Sequence, residues 1–392
     1  MKQKMMATLL LLIGIMALSS AHAETVAMSD NQRAELAKIA PGLTITPALA
    51  EQLRATAYDQ SLTIPERVSA IRKLAGYPDG ELIKRTVCIW DIAGRSGPIF
   101  SAAQDQRSQI MEYGVDVELV PYTSESVMAE DLKSQRCDAA LMTGLRARLF
   151  HRYSGTIDSV GGVPDEEHMR VLMQAVNHPR NAHRMVSGEY VVLGIAPAGA
   201  AYVFVNDRSI SSLAKAAGKK VAVLDYDRTQ AEMVSQIGAT PIATDIVSAP
   251  NMFNNGVVDV LAAPLVAYEV LELYKGMSPN GGIVRFPLAQ ISMQLIGRHE
   301  KFPNEIAQLV REAFLAGFDM ILERLAEETA KVSPHWWIDI PERDQQEYEI
   351  MMQQARLHLR DQGYYDPEML ALQRRVRCRF DGSRSECVNP VE

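Results

Sequence analysis

The feature that most constrains the fold is an alternation of short apolar runs with helical segments over Ser209–Tyr268. Val221–Leu224 and Val257–Ala262 are almost wholly apolar, which is typical of parallel strands that are buried on both faces. A further strand is predicted at Thr240–Ala243, and amphipathic or short helices connect the three strands. Strands that alternate with helices predict an α/β fold with a mainly parallel sheet.

The turns that follow two of these strands are the first candidates for a ligand site. Ligands of open α/β sheets collect outside the carboxyl ends of the strands. Asp225–Arg228 follows the first apolar run and Ala263–Tyr268 follows the last one. The sequence therefore predicts that both turns line the rim of a pocket.

The same stretch resembles the second lobe of the solute-binding proteins of TRAP transporters (tripartite ATP-independent periplasmic transporters). Three blocks carry the resemblance, in order: GKKVAV at 218–223, GATPIATD at 238–245 and NNGVVDVLAAPLVAY at 254–268. They are similar to the GxKxRV, GAxPxxM and GxVDGxxNP patterns of that family. The resemblance extends over roughly Thr86–Glu328. It implies a two-lobe periplasmic-binding-protein-like fold, in which each lobe is a mainly parallel sheet flanked by helices.

The first lobe begins with a predicted strand, Lys84–Asp91, which leads through a glycine-containing turn with Ser96 into a helix. Such a turn presents backbone N–H groups and the positive end of the helix to a ligand. The alternative is that Gly94 and Gly97 only make the turn tight, and the sequence leaves both readings open.

A second match to the family lies in the first lobe. A helix ending at Leu132-Lys133 is followed by Asp138, a strand, Thr143 and Arg146. By position, Arg146 matches a family ligand contact, and Thr143 replaces an acidic residue. The alternative for Arg146 is a helix charge that faces solvent.

The chain departs from the family where a carboxylate is usually bound. Ala222 stands where the family has an arginine, Ala263 replaces the asparagine before Pro264, and Tyr202 lies near the register of a second arginine. Alanine cannot form the bidentate pair that arginine forms with a carboxylate. We therefore expect no binding of simple C4-dicarboxylates or sialic acid in the family's manner. We expect a solute with more apolar surface, and an anionic group on it would be received at Arg146 or Arg228.

The predicted ligand-contact residues come from both lobes. They are Asp91, Ser96, Thr143, Arg146, Tyr202, Tyr226, Arg228, Pro264 and Tyr268.

The remaining segments are assigned from local patterns. Residues 1–23 combine Lys2 and Lys4, an apolar run and an Ala-His-Ala site, which together indicate a cleaved signal peptide and export to the periplasm. Residues 24–83 are predicted to be a helical extension. Lobe 1 is predicted at 84–200, with 295–330 returning to it, and lobe 2 at 201–294. Residues 331–392 are predicted to be a helical C-terminal extension.

Composition and motifs narrow the function further. With 40 basic and 48 acidic residues the chain is mildly acidic, which argues against nucleic acid as a partner. Four cysteines in an exported chain indicate disulfides. Cys378 and Cys387 are expected to close a small loop, and a Cys88–Cys137 bridge is left open. The sequence contains no GxSxG, HExxH, phosphate-loop or zinc-site motif, and we expect no cofactor and no metal.

The resemblance implies a periplasmic receptor that captures a small solute between its lobes and passes it to a membrane permease. Two alternatives remain open: an exported sensor or envelope protein on the same fold, and an exported enzyme.

Overall fold

The computed structural model describes residues 45–77 and 81–392. The predicted signal peptide and the first part of the predicted N-terminal extension lie outside these residues. In the described part of the chain no helix is long and apolar enough to cross a membrane.

Strands from all parts of the described chain join one mixed sheet in the order β2-β1-β3-β9-β5-β8-β6-β7, with β4 beside β5 and β10 beside β9. The strands are β1 Ile83–Trp90, β2 Val115–Tyr122, β3 Ala139–Thr143, β4 Val186–Ser187, β5 Tyr190–Val205, β6 Lys220–Leu224, β7 Thr240–Thr244, β8 Val260–Pro264, β9 Gly282–Arg298 and β10 Trp337–Ile338.

Helices cover both faces of the sheet. They are α1 Pro47–Tyr58, α2 Ile64–Ala75, α3 Pro98–Glu112, α4 Glu125–Lys133, α5 Gly144–Ala147, α6 Arg152–Gly155, α7 Glu166–Asn177, α8 Leu213–Ala216, α9 Arg228–Gln236, α10 Ser248–Asn254, α11 Ala267–Val270, α12 Tyr274–Met277, α13 Asn304–Ala316, α14 Phe318–Thr329, α15 Glu342–Asp361, α16 Pro367–Phe380 and α17 Ser385–Val388.

The sheet is divided into two lobes. In lobe 1, β1 pairs in parallel with β2 and β3; in lobe 2, β6 pairs in parallel with β7 and β8. The long strands β5 and β9 are antiparallel to each other and run through both lobes. The predicted two-lobe α/β architecture is therefore confirmed. Parallel pairs form the outer part of each lobe, and antiparallel pairs form the centre of the sheet, where the lobes join.

Three segments differ from the sequence-based expectation. The residue pattern predicts separate strands at 190–196 and 200–206 and at 283–287 and 292–296, whereas the structure has the two single strands β5 and β9. The bonding continues because register shifts, one of them between Pro197 and Gly199, absorb the irregular positions. Gly199 has a φ of +86°, which suits glycine. The residue pattern also predicts one long amphipathic helix over 303–328, whereas the structure divides it into α13 and α14 at Gly317.

Local sequence signals explain the ends of α2. Thr63 and Glu66 form a capping box at its start, and Pro65 occupies its first turn. Gly76 ends the helix with a φ of 75°, the left-handed conformation that favours glycine. The helix packs against α13 through Arg67, whose guanidinium lies 2.7 Å from the Glu312 carboxylate.

Both disulfides are formed. Cys378 is bonded to Cys387, as predicted. Cys88 of β1 is bonded to Cys137, which lies in the loop just before β3. The second bridge links the carboxyl-terminal half of β1 to the loop before β3, and the parallel pairing of these two strands brings the cysteines together.

Candidate functional site

The carboxyl ends of strands from the two lobes meet at a cleft. The last residue of β3, Thr143, pairs with Met293 of β9, and the last residue of β8, Pro264, pairs with Ala201 of β5. Since β5 and β9 are shared, the ends of β3 and β8 lie near the crossing between the lobes. The turns after β3 and β6 therefore face the same space.

A cavity of about 1570 Å³ extends from this crossing into both lobes. Its lining is predominantly apolar and comes from both lobes and from α13–α15; near the crossing it includes Leu145, Ala196, Leu224, Val266, Ile291, Met293 and Met351. Small-molecule sites typically measure roughly 300–1,000 Å³. The space therefore accommodates a solute with extensive apolar surface.

Charged and hydroxyl side chains gather beside the cavity. We call this group the cleft cluster; it comprises Glu125, Thr143, Arg146, Arg148, Asp158, Tyr226 and Asp227. Thr143, Asp158 and Asp227 line the cavity.

Arg146 and Tyr226 form a contact between the lobes. The guanidinium carbon of Arg146 lies 3.5 Å from the centre of the Tyr226 ring, within the range of a cation–π interaction. Thr143 positions this arginine, because its hydroxyl accepts a hydrogen bond from the Arg146 backbone N–H at the start of α5. Leu145 and Asp227, the neighbours of these two residues in sequence, line the cavity. The contact therefore lies directly behind the cavity wall.

Glu125 is the counterion of Arg146. One carboxylate oxygen accepts a hydrogen bond of 2.6 Å from the Thr143 backbone N–H, and the other lies 3.6 Å from Arg146 Nε. Burial raises the pKa of Glu125, although the bonds from Thr143 and the charge of Arg146 oppose the rise. Burial also raises the pKa of Tyr226, and the nearby Glu125 adds to that rise.

Arg148 connects lobe 1 to the C-terminal extension. Its Nε and one terminal nitrogen donate to the Gly155 carbonyl. Its guanidinium lies 4.5 Å and 4.9 Å from the ring centres of Tyr364 and Tyr365. Burial raises the pKa of Tyr364; Arg148 opposes this rise and Asp227 of lobe 2 reinforces it. The extension therefore contacts groups from both lobes at the cleft.

Asp158 follows α6 in a 3-10 turn and is 2% exposed. Its carboxylate accepts hydrogen bonds from the Ser292 backbone N–H at 3.0 Å and from the Ser292 hydroxyl at 2.6 Å. Burial raises the pKa of Asp158 to about 7 despite these bonds and the charge of Arg148.

The structure gives Asp91 a partner within the chain. Its carboxylate accepts hydrogen bonds from the backbone N–H groups of Ala93, Ile99 and Phe100. The side chain thus occupies the N-terminus of α3, and a Cβ at Gly97 would lie 1.8 Å from it. These contacts favour the tight-turn reading of the segment. Ser96 is exposed in the turn.

The other predicted contact residues separate into two groups. Pro264 lines the cavity, together with Thr143 and Asp91. Tyr202 instead packs edge-on against Trp337, and Tyr268 is buried beside Tyr274 in the core of lobe 2. Strand alternation explains Tyr202, because its neighbours Ala201 and Val203 face the cavity. Arg228 begins α9, but its side chain lies outside the described part of the structure.

Sequence reasoning did not find four members of the cleft cluster as ligand candidates: Glu125, Arg148, Asp158 and Asp227. Arg148 had a usable signal, since it follows Arg146 by two residues in a short turn after a strand. Asp158 also had one, as the only charge in the stretch SGTIDSVGG. Asp227 lies in the turn 225–228 that the sequence places at the pocket rim, although it is not among the predicted ligand contacts. Glu125 had no local signal, because its position depends on contacts with residues distant in sequence.

Comparison with known families and proteins gives a consistent result. The family model described as Solute-binding protein AdeT 1/2 matches residues 100–391. Probable solute-binding protein AdeT1 of Acinetobacter baumannii is 39% identical over 299 residues, which cover 76% of this chain and 98% of that protein. Probable solute-binding protein AdeT2 of the same organism is 27% identical over 233 residues, covering 59% of this chain and 98% of that protein.

Solved structures show the same fold at low sequence identity. A TRAP periplasmic solute-binding protein from Desulfovibrio salexigens with bound orotic acid aligns with a TM-score of 0.61 and 15% identity, covering 76% of this chain and 99% of that one. One from Xanthobacter autotrophicus Py2 with bound β-D-galacturonate aligns with a TM-score of 0.60 and 16% identity, covering 75% and 99%.

Proposed function

The chain belongs to the AdeT solute-binding protein family, and from that premise we propose that it captures a largely apolar solute in the periplasm and passes it to a membrane permease. Solute binding is what the family and the fold have in common. The class of solute, the location and the permease are our proposal. The family and fold relatives are solute-binding proteins, so we further propose that the solute is released chemically unchanged.

The observation that carries the proposed solute class is the apolar lining of the cavity between the lobes. Burial of apolar surface contributes about 25 cal/mol per Å² of area removed from water. An apolar solute would gain this contribution from both lobes at once. A strongly hydrated solute would lose its water there and recover few hydrogen bonds.

The charges of the site support the same class. Arg146, the predicted anion contact, is already paired with Glu125 and stacked on Tyr226, and neither its guanidinium nor the tyrosine ring lines the cavity. The solutes in the two related structures, orotic acid and galacturonate, carry a carboxylate. We propose that this chain does not bind succinate or malate, since its arginine has an internal counterion.

We propose that closure of the lobes accompanies capture. The Arg146–Tyr226 contact joins the lobes directly behind the cavity, and a solute that touches both walls would favour the arrangement in which they are close. A permease that distinguishes the closed from the open arrangement would then receive loaded protein.

Native mass spectrometry of protein purified from its host tests the central proposal. We expect a retained small molecule of low polarity that is recovered unchanged after incubation with the protein. Recovery of a hydrophilic dicarboxylate would contradict the apolar class, and a chemically altered solute would favour the enzyme alternative.

A matched pair of variants tests whether the cavity is the site. Val266 lines the cavity, whereas Val257 is 47% exposed elsewhere in lobe 2. Val266→Thr places a hydroxyl group against the solute and should weaken binding about three- to tenfold. Val257→Thr makes the same change on the surface, and we expect unchanged affinity in calorimetry. Equal affinities of the two variants would show that the solute binds elsewhere.

A further inference from the structure

Asp158 lines the cavity from a 3-10 turn between α6 and α7, and its position is built into the fold. Both carboxylate oxygens are held by Ser292 of the long strand β9. A Cβ at Gly144 would approach Asp158 Oδ2 and Ser292 Oγ to 2.4 Å, so glycine at the start of α5 leaves room for this pair. The carboxylate is thus fixed at the cavity wall.

The cavity wall holds more negative than positive charge near Asp158. Asp227 also lines the cavity, and the charge of Arg148 acts on both carboxylates. The guanidinium of Arg148 does not line the cavity; it donates to Gly155 and lies against two tyrosine rings. Asp158 and Asp227 therefore line the space near Arg148, while this cation lies behind the wall. Four further acidic residues line the cavity elsewhere: Asp91, Glu269, Glu327 and Glu328.

The cations that do line the cavity are in a different place. In the described part of the chain they are Arg324 of α14 and Lys331 just after it. Both are exposed, and Lys331 is paired with Glu328 at 2.7 Å. They belong to the outer edge, where solvent screens their charge. Neither is a counterion for a carboxylate that is 2% exposed.

We propose that the solute carries a protonated amine on an apolar body and that the ammonium group binds at Asp158. The inference rests on the proposed function, since it assigns a head group to the solute of the same cavity. Each carboxylate oxygen has lone pairs beyond the one that Ser292 engages. An ammonium group would donate to them in charge-assisted bonds, while the apolar body would occupy the cavity.

The raised pKa of Asp158 agrees with an ammonium group binding there. Burial holds the pKa of Asp158 near 7 because Ser292 and Arg148 together do not compensate for the loss of water. A buried carboxylate with a raised pKa is not fully stabilised in its charged form by the donors and cations around it. The ammonium group of a solute would supply this stabilisation.

Three probes of equal chain length separate the head group from the apolar body: octan-1-amine, octan-1-ol and octanoate. We would measure their affinities by calorimetry at pH 8, where Asp158 is mostly ionised. The wild-type protein should bind the amine at least about tenfold more tightly than the alcohol, and octanoate most weakly.

Two isosteric variants locate the effect. Asp158→Asn should abolish the preference for the amine and leave the affinity for the alcohol within about twofold. Asp225→Asn removes an exposed carboxylate from the turn after β6 and should keep the preference. Circular dichroism and melting temperature would establish that each variant is folded.

The outcomes distinguish this inference from the proposed function. Equal binding of amine and alcohol would overturn the inference and leave an apolar solute in place. Binding of none of the probes would overturn both. An amine preference that persists in Asp158→Asn would remove Asp158 as the receiving group. The wild-type series is decisive by itself if that variant does not fold.

Discussion

This molecule has two groups of buried charges, of which one is fully hydrogen-bonded and the other contains atoms without a partner. The first, which we call the C-terminal cluster, comprises Arg356, Arg377, Glu386 and Glu392. Arg377 donates to both oxygens of Glu386, to Glu392 and to the Gly162 carbonyl, at 2.6–2.8 Å. Arg356 donates to Glu392 and to the Val160 carbonyl.

The cleft cluster also contains buried arginine and carboxylate side chains, but some of its atoms have no hydrogen-bond partner. Buried atoms without a hydrogen bond include Glu125 Oε2, Arg146 Nε, Tyr226 Oη and one terminal nitrogen of Arg148. The 3.6 Å between Arg146 and Glu125 is an ion-pair distance but is too long for a hydrogen bond. A buried polar atom that lacks a partner costs about 1–3 kcal/mol.

The difference separates a structural role from a functional one. The C-terminal cluster joins α15 and α16 to the loop at Val160–Gly162, and none of its buried side-chain atoms lacks a hydrogen-bond partner. The cleft cluster keeps buried donors and acceptors without partners beside a cavity. Buried charge alone is therefore a weak sign of a binding site, whereas buried charge with unused donors and acceptors is a stronger one.

The largest expected effect is a loss of stability when the C-terminal cluster is broken. Arg377→Met would leave Glu386 and Glu392 buried without their partner, and we expect the free energy of unfolding to fall by about 3–5 kcal/mol. Urea denaturation measures this loss. The matched control is Arg375→Met, an exposed arginine of the same helix, for which a change below about 0.5 kcal/mol is expected. A small effect of Arg377→Met would mean that the cluster is solvated.

The pH dependence of stability should have opposite signs in the two clusters. Burial alone would raise the pKa of Glu386, but Arg377 and Arg384 outweigh it and lower the pKa to about 2. The contribution of Glu386 to the free energy of unfolding is therefore present above its ordinary pKa of 4.5 and is lost as the pH falls toward 2. Asp158 has a pKa raised to about 7, so its contribution is present below 3.8 and is lost as the pH rises to 7.

Isosteric variants separate these two contributions. The stability of Asp158→Asn relative to wild type should increase between pH 4 and pH 7.5, by up to about 4 kcal/mol. Glu386→Gln should leave that interval unchanged and should instead reduce the loss of stability below pH 4. Urea midpoints at a series of pH values provide the measurement. A flat difference between Asp158→Asn and wild type would contradict the assignment for the cleft.

The smallest expected effect concerns the contact between the lobes. Tyr226→Leu removes the ring beneath Arg146, and we expect solute binding to weaken about three- to tenfold through loss of a cation–π interaction. Tyr226→Phe keeps the ring and removes only a hydroxyl that has no hydrogen-bond partner, so its affinity should stay near wild type. Equal weakening in both variants would assign the effect to the hydroxyl instead.

Local patterns were enough to predict the secondary structure of lobe 2. The apolar run predicted at Val221–Leu224 is β6 with one more residue, and Thr240–Ala243 is β7 with one more residue. The last strand was placed early: 257–262 was expected, and β8 is Val260–Pro264. Its boundary depends on pairing with β5, which no local pattern shows.

The candidate site was less accessible to sequence reasoning. Arg146 and Tyr226 were both predicted beside the cleft, since strand ends in such sheets define the rim. That they contact each other, and that Glu125 pairs with Arg146, depends on side-chain directions. Tyr202 and Tyr268 have suitable residue types at suitable positions, but strand alternation and core packing turn them away from the cavity. Their place in the contact set is the weakest part of the sequence-based prediction.

The shared strands β5 and β9 determine how the two lobes can move. Many two-part molecules move about flexible linkers, which resist bending very little. Here the connection is a hydrogen-bonded ladder whose register shifts include those between Pro197 and Gly199 and between Ala201 and Val203. Any opening of the lobes would bend this ladder of paired strands elastically at those points. Its stiffness would limit the amplitude of opening and would supply a restoring force whenever the lobes leave their resting angle.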